Sequence, residues 1–311
     1  MSLRTVNPYM SYQVLLDLQR TKDRMANLSE QIASGNRLNR LGEDPTASAL
    51  VLNFDHSIEQ NKAYIEQADS AASFLQTTET VLQSVNDSII RLLELGARGL
   101  GTGITAAGRQ AIVPEITGMK SNLISLANTQ SQGKYVFAGT RTTTVPFTST
   151  ATGATYAGDH NDISLDVAVS TTVKTNIPGD TVFFNGDATA VPTATTGPGS
   201  SGDLFTQVSN LIDGLNTNNT ATIQTAFDNL RTILGNVNSL LADVGGRQAS
   251  LQQLTEVTKN YNLSLQTIQT SYQSLDYPTA IMDYTNAQTS QQASLSVLGK
   301  SSSLNLFNYL A

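Results

Sequence analysis

The chain has 311 residues, a net charge of −7, no cysteine and two histidines, His56 and His160. Those numbers exclude disulfides, thiolate metal centres and thiol catalysis, and they leave too few histidines for the spaced zinc-hydrolase motifs. They also argue against a nucleic-acid phosphate backbone as partner, which a basic face would have to neutralise. No apolar run approaches the ~18 residues of a membrane-spanning helix. The stretch Met1 to Tyr12 lacks the apolar core and cleavage site of a secretory signal, so the chain is expected to be cytosolic unless a route without a cleaved signal exports it. No GxSxG elbow and no constellation of acid, base and nucleophile appears, so neither an enzyme nor a cofactor site is expected.

The first helix is predicted from about Pro8 to Ser34. Val14, Leu18, Thr21, Met25, Leu28 and Ile32 recur at four-three spacing, the seam of a coiled-coil-like helix. One apolar stripe is marginal alone, because helix stability comes mainly from packing, so the first ~35 residues are expected to stay poorly ordered until something covers them. Ser34-Gly35 breaks the helix, and Asp44-Pro45 restarts it. A carboxylate at the N-cap accepts from free backbone N–H groups, and Pro fits the first helical turn. Gly35, Arg37, Asn39, Asp44 and Pro45 thus form a candidate joint between two helices. An ordinary interhelical loop is the plainer reading of the same residues.

A long second helix carries Val51, Phe54, Ile58, Asn61, Ile65, Ala68, Ala72, Leu75, Glu79 and Leu82, followed by a three-residue phase slip at Val85. His56 falls off that seam, as a solvated residue would. The run Gly96 to Gly103 has the look of a dinucleotide-binding loop, but that loop needs a preceding strand, and here a helix precedes it. The glycines are expected to end the helix and turn the chain. A third helix follows on Ile112, Ile116, Met119, Leu123, Leu126 and Gln130, with Pro114 marking its first turn or a kink.

From Thr140 to Gly199 the sequence turns rich in Thr, Gly and Pro. Strands are predicted at Lys134–Ala138, Ile163–Val169 and Thr181–Phe184, with turns at Ala157-Gly158-Asp159, Pro178-Gly179-Asp180 and Asn185-Gly186, and a flexible linker over Ala188–Gly202. Helices resume at Asp203: a short one on Leu204, Val208, Leu211 and Leu215, then a long one from Ile223 to Leu275. The long one is expected to shift phase between Leu251 and Leu254, bringing Tyr261, Ile268 and Tyr272 onto the seam, and Gly245-Gly246 is a candidate kink. Pro278 marks a second joint. The last helix has Ile281, Tyr284, Leu295 and Leu298 on its seam and ends in an apolar patch of Leu304, Leu306, Phe307 and Leu310.

The fold class expected is therefore mainly α with a β insert. Paired long coiled-coil-like helices from both chain ends form a rod, and a small antiparallel β domain is inserted mid-chain. The expected domains are a terminal helical assembly domain (1–40 and 278–311), a helical rod domain (41–139 and 203–277) and the inserted β domain (140–202). The seam residues Val14, Leu18, Met25, Leu28, Ile32, Leu295, Leu298, Leu304, Leu306, Phe307 and Leu310 are the candidate assembly interface, because unshielded apolar seams call for partners.

Ser34-Gly35-Asn36-Arg37-Leu38-Asn39 followed by Asp44-Pro45 resembles the N-terminal signature of the flagellin family, with Glu43 where the family commonly has Asp. The mirrored terminal plan resembles that family over nearly the whole chain. Tyr135–Thr140, Pro146-Phe147, Tyr156–Asp159, Ile177–Phe183 and the tail Tyr277–Leu310 resemble its hook-associated branch more than its filament proteins. The resemblance implies a secreted structural protein of the bacterial flagellum, exported unfolded by the flagellar type III apparatus with a chaperone. It would join hook-associated protein 1 to flagellin and self-associate in a ring, with no nucleic acid and no membrane insertion. A minor flagellin, or an extracellular coiled-coil adhesin whose β insert binds a glycan, stays open as an alternative.

Overall fold

The structure is a computed structural model that describes residues 8–40, 42–168, 170–184 and 203–310, with side chains from residue 12 to residue 300. Four long or medium helices dominate it: α1 (Pro8–Ser34), α2 (Pro45–Leu100), and, beyond the middle of the chain, α7 (Thr220–Gln273) and α8 (Tyr277–Leu310). Between them lie α3 (Ala106–Gln110), α4 (Val113–Ala127), α5 (Gly179–Phe183) and α6 (Leu204–Asn216). Three antiparallel hairpins complete the set: β1 (Gln130–Ser131) with β2 (Lys134–Tyr135), β3 (Phe147–Ser149) with β4 (Ala154–Tyr156), and β5 (Ser164–Ala168) with β6 (Thr171–Lys174). The predicted turn at Asn185-Gly186 and the linker over Ala188–Gly202 lie outside the described residues.

The chain forms two compact units. One holds residues 61–260, the other residues 1–60 with 261–311, so the division falls further along α2 and α7 than the joints at Gly35 and Pro278. In each unit α2 and α7 run antiparallel. Phe54 lies beside Tyr272 in the terminal unit, and Asn86 Nδ2 donates to Asn238 at 2.6 Å in the central one.

The seams of both helices are more regular than the large apolar residues suggest. On α2, Ala71, Leu75, Thr78, Leu82, Val85, Ile89 and Leu92 are all buried at strict four-three spacing. The expected phase slip at Val85 is therefore absent: Thr78, not Glu79, takes the inward position, and its hydroxyl donates to the Phe74 carbonyl. On α7, Ile223, Leu230, Val237, Val244, Leu251, Thr258 and Leu265 are buried at every seventh residue. The expected shift after Leu251 is also absent. Thr255 and Asn262 go inward, while Tyr261 and Ile268 stand outward. A strict seven-residue repeat holds each seam against its partner by slight left-handed coiling.

Glycines 96 and 99 do not end α2, which continues to Leu100. They let α6 and α7 approach: a Cβ on Gly99 would lie 2.6 Å from Leu215 Cδ2 of α6, and one on Gly96 would lie 3.2 Å from Phe227 Cδ2 of α7. The expected third helix is split, with Thr105 capping α3 and Pro114 in the first turn of α4, while Gln130 belongs to β1.

The hairpins share the helices' core. Phe147 lies 4.9 Å from Phe183, 5.0 Å from Tyr156 and 5.6 Å from Phe205, ring centre to ring centre, so hairpin, α5 and α6 meet on one aromatic cluster. That cluster is continuous with Leu75, Leu82, Ile116 and Leu230 of the long helices. The strand predicted at Thr181–Phe184 is instead the helical turn α5. Val182, Phe183 and Phe184 are buried in succession, which an alternating strand cannot do, and Pro178 supplies the extended N-cap. Tyr156 fixes the same corner: its hydroxyl lies 2.9 Å from the carbonyls of Phe137 and Asp159, and burial pushes its pKa well up. The strand expected at Lys134–Ala138 stops at Tyr135, and Val136, Phe137 and Ala138 are buried against the cluster. Of the two histidines, His56 is exposed on α2 and His160 is paired with the buried Asp180.

Candidate functional site

The joint is a hydrogen-bonded knot that ties both chain ends of the terminal unit together. Gly35 closes α1 with φ +73° and donates to the Gln31 carbonyl at 2.8 Å. Glycine is required there twice over, because a Cβ would meet the Tyr277 hydroxyl at 2.7 Å. The next residues run beside the end of α7. Arg37 N–H donates to Gln273 O at 2.7 Å, and Leu275 N–H donates to Gly35 O at 3.0 Å. The Arg37 guanidinium then reaches the Tyr272 carbonyl at 3.2 Å and the Asp44 carboxylate at 3.5 Å.

Asp44 caps α2, accepting from Ala47 N–H at 3.0 Å, with Pro45 as the first helical residue. The bond from the Ala47 amide, helped by the Arg37 side chain, holds its carboxyl below the usual aspartate range, although desolvation pushes the other way. Ser34 donates to Asn39 Oδ1 at 2.9 Å, Asn39 N–H donates to Glu43 at 3.1 Å, and Arg40 pairs with Glu30 at 2.8 Å. Glu43 therefore has a role of its own beside the cap at Asp44. Asn39 Nδ2 is buried without a hydrogen-bond partner among the described residues.

The second joint repeats the design. Asp276 precedes α8, its carboxylate accepts from the Thr279 hydroxyl at 2.7 Å, and Pro278 lies in the first turn. Gly35, Arg37, Asn39, Asp44 and Pro45 of the candidate joint are thus brought to one place, and Pro278 follows Tyr277, whose hydroxyl lies against Gly35. Sequence reading missed the α7 side of it, since Tyr272 and Gln273 contribute through main-chain carbonyls that no side-chain pattern announces.

The terminal helices differ from expectation in two respects. Helix α1 packs along α8, so the seams are not left without an intramolecular partner. Val14, Leu18, Met25, Leu28 and Ile32 all lie half-buried on the covered face, and Arg24 pairs with Asp283 at 3.2 Å across it. On α8 the covered face is built from Ala280, Tyr284, Ala287, Gln291, Ser294 and Leu298, several of them small or polar. Ile281 and Leu295, expected on that seam, face outward at 49% and 51% exposure, together with Met282 and Val297. Tyr12, Leu15 and Leu16 do the same on α1. Leu304, Leu306, Phe307 and Leu310 fall in the last turns of α8, and their side chains lie outside the described residues. What this unit offers chemically is apolar surface on a hydrogen-bonded frame.

Residues 6–142 match the family profile for the bacterial flagellin N-terminal helical region. The chain is 25% identical to the flagellar hook-associated protein 3 of Salmonella typhimurium, over 98% of this chain and 99% of that one. It is 26% identical to the protein of the same name from Escherichia coli, over 89% and 90%. It is also 22% identical to the flagellar filament 30.7 kDa core protein of Treponema maltophilum, over 89% and 88%. Among solved structures, the fold is similar to a putative flagellar hook-associated protein of Vibrio parahaemolyticus, with a TM-score of 0.66, 19% identity, 75% of this chain and all of that one. FlgL of Xanthomonas campestris gives a TM-score of 0.60 at 19% identity, over 70% of this chain and 99% of that one. Motif, mirrored helices and near full-length similarity agree: the chain resembles the flagellar hook-associated protein 3 of these bacteria along nearly its whole length, and its N-terminal part matches the bacterial flagellin N-terminal helical region.

Proposed function

We propose that this chain is the adaptor at the hook–filament junction, self-associated in a ring, with hook-associated protein 1 on one side and flagellin on the other. On this reading it reaches the outside through the flagellar type III apparatus, served by a chaperone and without a cleaved signal. The observation that carries the reading is the set of large apolar residues left exposed after α1 and α8 have paired: Leu15 at 53%, Leu295 at 51% and Val297 at 57% exposure, and also Tyr12, Ile281 and Met282. A free soluble chain gains nothing from exposing them, whereas a subunit in a lattice buries them. The half-buried residues Val14, Leu18, Met25, Leu28, Ile32 and Leu298 hold α1 and α8 together and so set where those exposed residues stand.

The test uses charges where the monomer already meets water. Leu15→Glu and Val297→Glu should leave folding intact, yet an unpaired carboxylate buried on assembly costs several kcal/mol, about 2–7 by transfer measurements on polar groups and more for a charge. Cells carrying either variant should export it, build hooks, lack filaments and shed flagellin into the medium. Gln253→Glu, on the outer face of α7, is the harmless control. Normal attached filaments from both variants would sink the proposal. Attached filaments after removal of the whole gene would make the chain a filament protein instead.

A further inference from the structure

Helix α7 carries a feature that neither its packing nor the proposed role explains. Gly245 and Gly246 sit side by side in the interior of the 54-residue helix, and the helix runs through them unbroken. A Cβ built on either residue meets nothing within 4 Å. No close approach and no positive φ demands glycine here, so the pair supplies only backbone latitude, at roughly 1 kcal/mol of helix propensity each.

Three neighbouring observations converge on the same turn. The inward positions Phe227, Leu234 and Leu241 are apolar, but the next, Gln248, is polar, and its Nε2 is buried with no hydrogen-bond partner among the described residues. The apolar grip on α7 therefore weakens just after the glycines. Beside them a cleft of about 470 Å³ separates β6 from α7, lined by Thr172, Val173, Lys174, Asp243, Gly246 and Arg247. One side chain spans that cleft. Arg247 pairs with Asp243 at 2.6 Å and donates to the carbonyls of Asn176 at 3.0 Å and Lys174 at 3.4 Å.

We propose that Gly245-Gly246 is a bending point of α7, and that Arg247, fastened to the β5–β6 hairpin, is the clasp that holds it straight. The open cleft gives the helix room to move on the hairpin side. The orphaned Gln248 amide gains a partner when water enters the opened turn. All of these groups lie in the central unit, so the device is internal to it.

Amide hydrogen exchange on the full-length chain tests this. In the native chain, amides of residues 243–250 should exchange at least five-fold faster than those of residues 230–240 and 251–259. Gly245→Ala with Gly246→Ala should slow exchange at 243–250 by about five-fold per glycine, the ratio given by about 1 kcal/mol each, and leave the flanks within two-fold. Arg247→Ala should speed exchange at 243–250 by about ten-fold, with the flanks again unchanged. Combining all three changes should slow exchange at 243–250 by about 2.5-fold relative to the native chain, the effect of the two alanines set against the loss of the clasp. Equal protection of turn and flanks in the native chain would overturn the proposal. So would a double-alanine variant that slows the flanks as much as the turn, since that is global stabilisation. An Arg247→Ala variant with unaltered exchange at 243–250 would remove the clasp.

Discussion

Replacing Phe147 by alanine asks whether the hairpins and the long helices stand or fall together. Phe147 is 1% exposed and sits at the centre of the aromatic cluster, with four rings between 4.9 and 6.0 Å of its own. Truncating a buried phenylalanine costs about 3–5 kcal/mol in lost transfer energy and residual cavity. The upper half of that range is expected, since the four surrounding rings are held by Tyr156, Phe183, Phe184 and Phe205 and cannot all close in. Backbone ties change little: Asn128 Nδ2 still donates to the residue 147 carbonyl and Asn128 Oδ1 still accepts from its amide. With a urea slope of about 2.5 kcal/mol per molar, the midpoint should fall by about 1.8 M. Far-ultraviolet circular dichroism reads the helices, and near-ultraviolet tyrosine signals read the hairpin corner around Tyr156. If the core is shared, both midpoints fall together. If the helical midpoint stays put while the tyrosine signal is lost early, residues 140–184 form an independent unit and the shared-core argument fails.

Further outcomes follow from the same structure. Gly35→Ala places a β-carbon in a left-handed conformation against the Tyr277 hydroxyl, so protection of the Arg37 and Leu275 amides should fall by about 1–2 kcal/mol in hydrogen exchange. Protection at the start of α2 should depend on acid. The Asp44 carboxyl is lowered in the folded state, so its contribution is full above the ordinary value of 3.8 and is lost as pH falls through the lower folded value. Protection of the Ala47 amide, relative to its intrinsic exchange rate at each pH, should therefore be flat from pH 7 to 5 and fall below about pH 4, and Asp44→Asn should abolish that step. Asp203 behaves in the opposite sense: burial raises its carboxyl although it caps α6 and bonds Thr206, so acidification relieves rather than weakens that site. Gly99→Ala should destabilise the central unit by about 1–3 kcal/mol through overlap with Leu215, whereas Gly118→Ala on α4, which meets nothing, should stabilise it by roughly 1 kcal/mol. Paired urea melts of the two variants separate these signs.

The joint was legible because its chemistry is local. A glycine, a capping aspartate and a proline each impose backbone geometry within a few residues, and the structure realises all three. The class of fold was legible for a similar reason, since long four-three stripes have few other meanings. What escaped the sequence was set by tertiary packing. Thr181–Phe184 has strand composition, yet three consecutive buried side chains need a helical turn to reach one cluster. Gly96 and Gly99 read as a stop, yet they are spacers for Leu211 and Leu215 of α6.

The seam errors share one direction, and that direction is informative. At residues 78–79, 254–262 and 280–287 the sequence reading followed the larger or better-placed residue, and each time the structure turned a smaller or more polar one inward: Thr78, Thr255, Asn262, Ala280 and Ala287. Within the terminal unit this leaves Tyr261, Ile268, Ile281 and Leu295 facing out. Burying them in the monomer would require shifting the phase of α7 and α8, which would turn Leu265 and Leu298 away from their partners. Small inward residues let the helices pair closely without consuming the large side chains. The monomer is thereby held by modest contacts and main-chain ties, and on the reading proposed above the apolar surface that could have stabilised it more is kept for contact with other molecules. A chain shaped only for its own stability would have the opposite arrangement, so Ile281→Gln with Leu295→Gln should leave the thermal midpoint of the free chain within about 2 °C, as surface substitutions usually do, while attached filaments are lost. A large fall in the monomer's midpoint would show instead that these residues are packed within the chain, and the assembly argument would lose its footing.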